Sequence, residues 1–185
     1  YSSSSKNELE TYINLILHKN NSVVLKPSIG RGSRGIVVID KKFKGKLFYK
    51  GSKEIHIDPK TFYSDYFSSL KINQEYIVME KLYEPVCDLD ILSWKNKPIH
   101  LIPRKRLNSA KPNDGHVIIY NKLMIDIGKK VVANFKLDWI FDIDFMMSSN
   151  GAPQVLEINS RASGSLAISM IAGVEIFDDM ISLFL

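Results

Sequence analysis

Cysteine is almost absent from this chain. Cys87 stands alone among 185 residues, so an intramolecular disulfide is excluded. With no Cys/His cluster at ligand spacing, a structural zinc site is excluded too. These absences predict a reducing, cytoplasmic setting. Long apolar runs are also missing. None approaches the roughly 20 residues of a membrane span, and the opening Tyr1-Ser-Ser-Ser-Ser-Lys6 is polar where a signal peptide is apolar; the expectation is a soluble protein with no membrane partner. Charge of one sign is in short supply. The 25 Lys and Arg against 20 Asp and Glu leave a net charge of +5, which suits an anionic ligand but falls short of a nucleic-acid footprint. The four histidines, His18, His56, His100 and His116, are scattered and build no catalytic triad. The first residue is not Met, which predicts a piece of a longer polypeptide with an upstream domain before Tyr1.

Hydrophobic residues make up 45% of the chain, enough for one buried core or two small lobes. Leu9, Tyr12, Ile13, Ile16 and Leu17 recur at helical spacing, predicting a helix over 7–18 that the serine-rich start can cap. Ser22 to Pro27 reads as a strand, 28–35 as a glycine-rich loop, and Ile36 to Asp40 as a returning strand. Asp58 and Pro59 have the order of an N-cap and first helical position, predicting a helix over 59–70. Strands are predicted over 75–79, 87–93 and 98–103, then a helix over 122–135. Two strands, 139–147 and 154–158, flank the turn Ser148-Ser-Asn-Gly-Ala-Pro153, and helices over 166–171 and 175–185 close the chain. Short connections imply largely antiparallel pairing with helices on one face, an α+β fold.

Gly30-Arg31-Gly32-Ser33-Arg34-Gly35 fits GxGxxG, a string shared by unrelated folds. A dinucleotide-binding unit needs a helix directly after it. Here the β-branched run Ile36-Val-Val-Ile39 follows, so that reading fails. A glycine loop between two strands can instead close its backbone N–H groups over phosphates. Lys26, on the incoming strand, can bring an ammonium to the same phosphates. An ordinary flexible hairpin tip is the competing reading.

A second pattern is Phe141-Asp-Ile-Asp-Phe145, a turn, and Val155-Leu-Glu-Ile-Asn-Ser-Arg161. Alternation along a strand puts Glu157, Asn159 and Arg161 on one face, with Leu156 and Ile158 turned into the core. If the two strands pair, Asp144 or Asp142 comes beside Glu157 and offers oxygen ligands to Mg²⁺. Close carboxylates repel without a cation, which favours a metal over mere decoration of a solvated face. Asp144, Glu157 and Asn159 are the candidate ligands, completed by two phosphates of ATP. Mn²⁺ fits the same donors, and Arg161 can neutralise a transferred phosphoryl group through a forked hydrogen bond.

These features together resemble the ATP-grasp superfamily over nearly the whole chain, from about Val23 onward. The stretch Leu156-Glu-Ile-Asn-Ser-Arg-Ala-Ser-Gly-Ser165 is similar to the segment that closes the active site in carbamoyl-phosphate-synthase-like and biotin-carboxylase-like members. The resemblance implies a linking helix over 1–20 from a missing pre-ATP-grasp domain, a small lobe over 21–82 and a large lobe over 83–185. It places Lys26 on phosphate and adenine, and Gly30, Gly32, Ser33 and Gly35 over the triphosphate. Glu80, Lys81 and Leu82 fall on the adenine hinge. The basic stretch Pro103-Arg-Lys-Arg106 resembles an element that holds the acyl phosphate or acceptor, which makes Arg104 and Lys105 catalytic candidates. Where relatives carry Gly then Glu to hold the ribose, this chain has Pro85-Val86-Cys87, and either the ribose falls to Asp88 or nucleotide affinity is lower than usual.

The reaction implied is activation of a small-molecule carboxylate by ATP and Mg²⁺ to an acyl phosphate, followed by attack of an amine or similar nucleophile. Such catalysis is mostly positioning and electrostatics. A homodimer is compatible with it. A kinase-like phosphotransferase is disfavoured, since no His-Arg-Asp or Asp-Phe-Gly element is present. A non-catalytic nucleotide-binding or regulatory module of the same fold stays open.

Overall fold

The computed structural model describes residues 1–29, 35–48, 54–71, 73–109, 111 and 114–185. The chain forms two compact units, Tyr1–Lys81 and Leu82–Leu185.

In the first unit, strand β1 (Ser2–Ser3) precedes helix α1 (Lys6–Lys19). Leu9, Ile13 and Leu17 recur every four residues, so α1 buries one stripe in the unit's core. Ser5 occupies the N-cap position but makes no side-chain cap bond. Ser3 organises the entry instead, donating its hydroxyl to Glu8 and accepting from the Ser5 N–H. Strands β2 (Ser22–Pro27), β3 (Val37–Asp40), β4 (Lys46–Phe48), β5 (Ile55–Ile57) and β6 (Tyr76–Glu80) form a sheet with β1 in the order β1-β6-β2-β3-β5-β4. All pairs are antiparallel except β3 with β5. The helical segment after Asp58 is less regular than expected. Helix α2 (Pro59–Thr61) passes into a π turn over Phe62–Tyr66 and a 3₁₀ turn over Phe67–Ser69. The widened turn accommodates an aromatic cluster in which Phe62 is fully buried against Tyr63, Tyr66 and Phe67.

In the second unit, β7 (Tyr83–Trp94), β8 (Lys97–Arg106), β9 (His116–Ile118), β10 (Trp139–Met147) and β11 (Pro153–Asn159) form an antiparallel sheet in the order β11-β10-β7-β8-β9. Helix α3 (Lys122–Phe135) covers one face, where Cys87, Leu89, Ile91, Phe141, Ile143 and Phe145 pack against Met124, Val131 and Val132. Gly128 is the closest approach: a Cβ there would lie 2.6 Å from Leu89 Cδ2 and 2.7 Å from Leu101 Cδ2. Helices α4 (Ala167–Ile171) and α5 (Ile176–Ser182) lie with the opposite face, in a small core of Leu92, Ile102, Leu166 and Ile176. Helices on one face only is therefore corrected for this sheet. His100 Nε2 ties α5 to β8, 2.5 Å from Asp179 Oδ2. The inward turn of Leu156 and Ile158 is corrected as well. Strand β11 is an outer strand, and Ile158 stays 37% exposed while Leu156 is half-buried.

Candidate functional site

The part of the second sheet's face not covered by α4 and α5 is strongly acidic, and the strand register explains why. Asp88 lies across from Asp144, which lies across from Glu157; Asp90 lies across from Asp142, which lies across from Asn159. A period of two points all six side chains to one side. Asp88, Asp90 and Asp142 are buried, and the Asp144 side chain is 14% exposed. Carboxylate oxygens of Asp88, Asp142 and Asp144 all lie within 4.8 Å of one another. Glu157 and Asn159 form the rim on β11, where Asn159 Nδ2 donates to Glu157 Oε1 at 3.2 Å.

Two arginines hold this group against its own repulsion. Arg106 Nε donates to both Asp88 oxygens, at 3.1 and 3.0 Å, and its Nη2 reaches Asp88 Oδ1 and, at 3.1 Å, Asp144 Oδ1. Arg161 Nη1 donates to Asp142 Oδ1 at 3.3 Å and to the Ala162 carbonyl at 3.0 Å, with 62% of its side chain exposed. His116 Nδ1 lies 3.3 Å from Asp88 Oδ2. Burial opposes ionisation of Asp88, but the Arg106 and Asp144 hydrogen bonds prevail and its carboxyl sits below the usual range. Burial pushes Asp142 up to about 6, against the pull of Arg161. Burial and the hydrogen bond to ionised Asp88 push Asp144 up to about 7. The carboxylates thus hold more negative charge than Arg106 and Arg161 balance. Buried hard oxygen donors with that surplus fit a small divalent cation such as Mg²⁺.

A second polar group lies next to this one, built on a buried arginine and joined to the first through His116. Arg104 is fully buried. Its Nη2 donates to Asp90 Oδ1 at 2.9 Å and to Ser163 Oγ at 3.3 Å; its Nη1 donates to Ser165 Oγ at 2.8 Å and to the Ser165 carbonyl at 3.2 Å. Nε lies 2.8 Å from Asp90 Oδ2 but its N–H is misaligned, so that approach is an ion contact and not a hydrogen bond. Ser169 Oγ completes the group, donating to Asp90 Oδ2 at 2.6 Å.

The structure places the expected residues as follows. Gly30, Gly32 and Ser33 lie outside the described residues. Gly35 has φ +78°, and a Cβ on it would lie 3.1 Å from Pro27 Cγ, so glycine is required there. Lys26 is half-buried on β2 across from Ile77; Glu80 is exposed at the end of β6, Lys81 lies 4.0 Å from Asp40, and Leu82 is buried at the start of the second unit. Asp144, Glu157, Asn159 and Arg161 come together on one face. Asp88 joins them: it is 1% exposed and committed to Arg106 and His116, an environment unlike that of a ribose-binding carboxylate. The basic stretch divides. Arg104 is sealed, whereas Lys105 is exposed on the opposite face, across from Cys87, beside a cavity of about 640 Å³ that Tyr83, Ile119, Asn121 and Met147 also line. Arg106 alone of the three bonds to Asp88 and Asp144. Sequence reasoning passed over Arg106 and Asp90, though alternation along a longer β8 would have put Arg104 and Arg106 on one face.

By fold the chain is similar to D-alanyl-alanine synthetase A from Vibrio cholerae, with a TM-score of 0.64 and 12% identity over 98% of this chain and 56% of that one. It is similar to a biotin carboxylase from Campylobacter jejuni, with a TM-score of 0.61 and 16% identity over 93% of this chain and 39% of that one. The ATP-grasp ligase PsnB, complexed with minimal precursor, Mg and ADP, gives a TM-score of 0.56 and 14% identity over 93% of this chain and 51% of that one. The chain therefore spans only about two fifths to just over half of these structures, and the likeness is one of fold. No curated protein matches the chain in sequence. The family model described as "ATP-grasp in the biosynthetic pathway with Ter operon" matches residues 73–185, more than half of the chain and all of β7, β10 and β11, and the chain belongs to that ATP-grasp family.

Proposed function

We propose that this chain supplies the nucleotide and Mg²⁺ site of an ATP-dependent ligase that activates a carboxylate as an acyl phosphate. The observation that carries the reading is the register of β7, β10 and β11. It brings Asp88, Asp142 and Asp144 within ligand distance of one another, with Glu157 and Asn159 at the rim. Asp144, Glu157 and Asn159 are the proposed ligands, with Asp142 behind them. When bound, Mg²⁺ would neutralise phosphate oxygens and so favour transfer.

The remaining steps belong to the substrate and to this chain's side chains. A carboxylate oxygen attacks the γ-phosphorus as the bond to ADP breaks, and an amine then attacks the acyl carbon and expels phosphate. Arg161 has its guanidinium largely in solvent, held by one bond to Asp142 and one to a carbonyl, and can turn its free N–H groups to the transferring phosphoryl. Arg106 keeps Asp88 ionised and oriented and holds Asp144 through its shared Nη2. Lys26, Gly35 and the glycine loop are the proposed phosphate contacts of the first unit.

The test is Glu157→Gln in the full-length protein, a substitution at an exposed rim position that leaves the core untouched. Mg²⁺-dependent ADP formation from ATP, assayed with a panel of carboxylates and amines, is expected to fall at least about 100-fold, the order of loss seen when a transition-state charge stabiliser is removed. Unchanged ADP formation in the variant rules out the metal assignment. Nucleotide binding without ADP formation by the wild-type protein would favour a non-catalytic nucleotide-binding module instead.

A further inference from the structure

Arg104 is itself fully buried, with part-buried serines on one side and His116 Nδ1 3.2 Å from its Nη1 on the other, and it is densely bonded. Its partners explain what it does. Asp90 belongs to β7, whereas Ser163 and Ser165 belong to the segment that leaves β11 directly after Asn159 and Arg161. One guanidinium therefore joins the middle of the sheet to the loop that follows the acid-bearing outer strand.

Apart from Arg104, that loop is held by the Arg161–Asp142 bond and by Ala162 packing against the small core. Strand β11 pairs on one side only, and its ladder ends with Asn159 across from Asp142. Beyond it, Arg161 N–H bonds back to the Asn159 carbonyl at 2.8 Å, and the Ser165 and Leu166 N–H groups bond to Ser163, at 3.2 and 3.1 Å. These are local bonds within the loop. Arg104 supplies three bonds that cross from the sheet to Ser163 and Ser165. Ser169, on α4, adds a fourth connection through Asp90. Downstream, the burial of Leu166 anchors the chain. The stretch 160–165 is thus held by Asn159 at one end and the Arg104 group at the other, with Arg161 on Asp142 and Ala162 on the core between them.

We infer that Arg104 is a positioning residue. It fixes the Ser163–Ser165 turn to the sheet and so sets where Arg161 and Asn159 stand relative to Asp142. This deepens the proposed reading and rests on it for the role of Arg161. Burial of Arg104 removes it from substrate, so its influence reaches the reaction through the loop and through His116, which lies between it and Asp88. Asp90 is the counter-charge, accepting one bond from Nη2 and making an ion contact with Nε. A lysine in place of Arg104 can keep the charge opposite Asp90 but has no second arm for the loop. The serine hydroxyls are the other half of the clamp and can be removed without touching a charge.

Two variants of the full-length protein test this, Arg104→Lys and the double variant Ser163→Ala/Ser165→Ala. Hydrogen exchange without ligand reads the clamp directly. Amides of 160–166 are expected to exchange at least about tenfold faster in both variants, while those of 141–147 in β10 keep their protection. Steady-state ADP formation reads the consequence. The expected outcome is a kcat at least about tenfold lower with a KM for ATP within about threefold of wild type. The third reading is a double-mutant cycle: Arg161→Ala should cost much less in the Arg104→Lys background than in wild type, because a displaced Arg161 has less to lose. Unchanged exchange at 160–166 in the serine variant overturns the clamp. Faster exchange with an unaltered kcat, or fully multiplicative effects of the two arginine variants, overturns the positioning role. If the wild-type protein forms no ADP, the ligase reading fails, and the exchange data alone decide the clamp.

Discussion

The raised carboxyls of Asp142 and Asp144 give the proposed metal binding a definite pH dependence. Both groups hold a proton in the folded protein at pH values where an unfolded Asp, with a pKa of about 3.9, has lost it. Their folded values are raised, so the stability they contribute is fully present below about pH 3.9 and is lost as pH rises through about 6 and then about 7. Without a divalent ion, this site makes the protein melt at a lower temperature at pH 8 than at pH 5.5. A cation at the site needs the ionised forms and must displace the protons. With Asp144 at about 7, the competent fraction rises about 30-fold between pH 5.5 and 8 from that residue, and by about a further fourfold from Asp142 at about 6. Mg²⁺ is therefore expected to bind roughly 100-fold more tightly at pH 8 than at pH 5.5. Calorimetric titration with Mg²⁺ in buffers of different ionisation enthalpy measures both the affinity and the protons released. Release should approach two at pH 5.5 and be near zero at pH 8. In Asp144→Asn, only the smaller Asp142 dependence should survive. Equal Mg²⁺ affinity at the two pH values, with no proton release at either, refutes the assignment of these carboxylates to the metal.

Other expectations concern the scaffold. Gly128→Ala gains about 1 kcal/mol of helix propensity, but its methyl would sit 2.6 and 2.7 Å from the Leu89 and Leu101 methyls in a filled core, where overpacking costs about 1–3 kcal/mol. Net destabilisation is expected, read as a lower urea midpoint, and a raised midpoint would show that α3 can lift from the sheet without penalty. Asp58 caps α2, accepting from Thr61 N–H at 3.0 Å and also from the Thr61 hydroxyl and the Gly45 N–H. Those bonds, the Thr61 hydroxyl first, lower its carboxyl to about 2, so its contribution is present above about pH 3.9 and fades as pH falls toward 2. Asp58→Ala should cost about 1 kcal/mol at neutral pH and progressively less under acid. Thermal melts at pH 7 and pH 2.5 check this, and an equal loss at both would assign the effect to packing.

What could be read from the sequence was what is local. Strand β2, helix α3 and strand β10 follow the predicted bounds residue for residue, because each has enough residues to show its period. The strands β4, β5 and β9 have three residues apiece and complete no more than one alternation, so they were not foreseen. The pairing of β10 with β11 was legible from a six-residue turn flanked by alternating strands. That β7 is the other neighbour of β10 was not. Asp88 and Asp90 sit more than fifty positions before their partners, and only the strand order brings them across. The division of Arg104, Lys105 and Arg106 was hidden for a different reason. The predicted strand stopped at Pro103, which left the three as a basic block with no faces to assign.

Extending β8 through Arg106 exposes a repeated arrangement. Arg104 lies across from Asp88 but bonds to Asp90, two residues along. Arg106, one step further out on the same face, bonds to Asp88 by the same diagonal. The sheet thus builds one Asp–Arg pair twice, and the covering decides what each can do. Over Asp90 and Arg104 lie Ser163, Ser165 and Ser169, so both Arg104 Nη nitrogens and both Asp90 oxygens find protein hydrogen-bond partners and the pair serves as an anchor. Over Asp88 and Arg106 nothing from α4 or α5 is bonded among the described residues, and the guanidinium is shared instead with Asp144. One cation divided between two carboxylates leaves negative charge over, with Asp142 and Glu157 adding to it. Local chemistry is alike at the two positions. The loop after β11 closes one and leaves the other with a charge surplus, and a divalent cation is the simplest ligand that removes it.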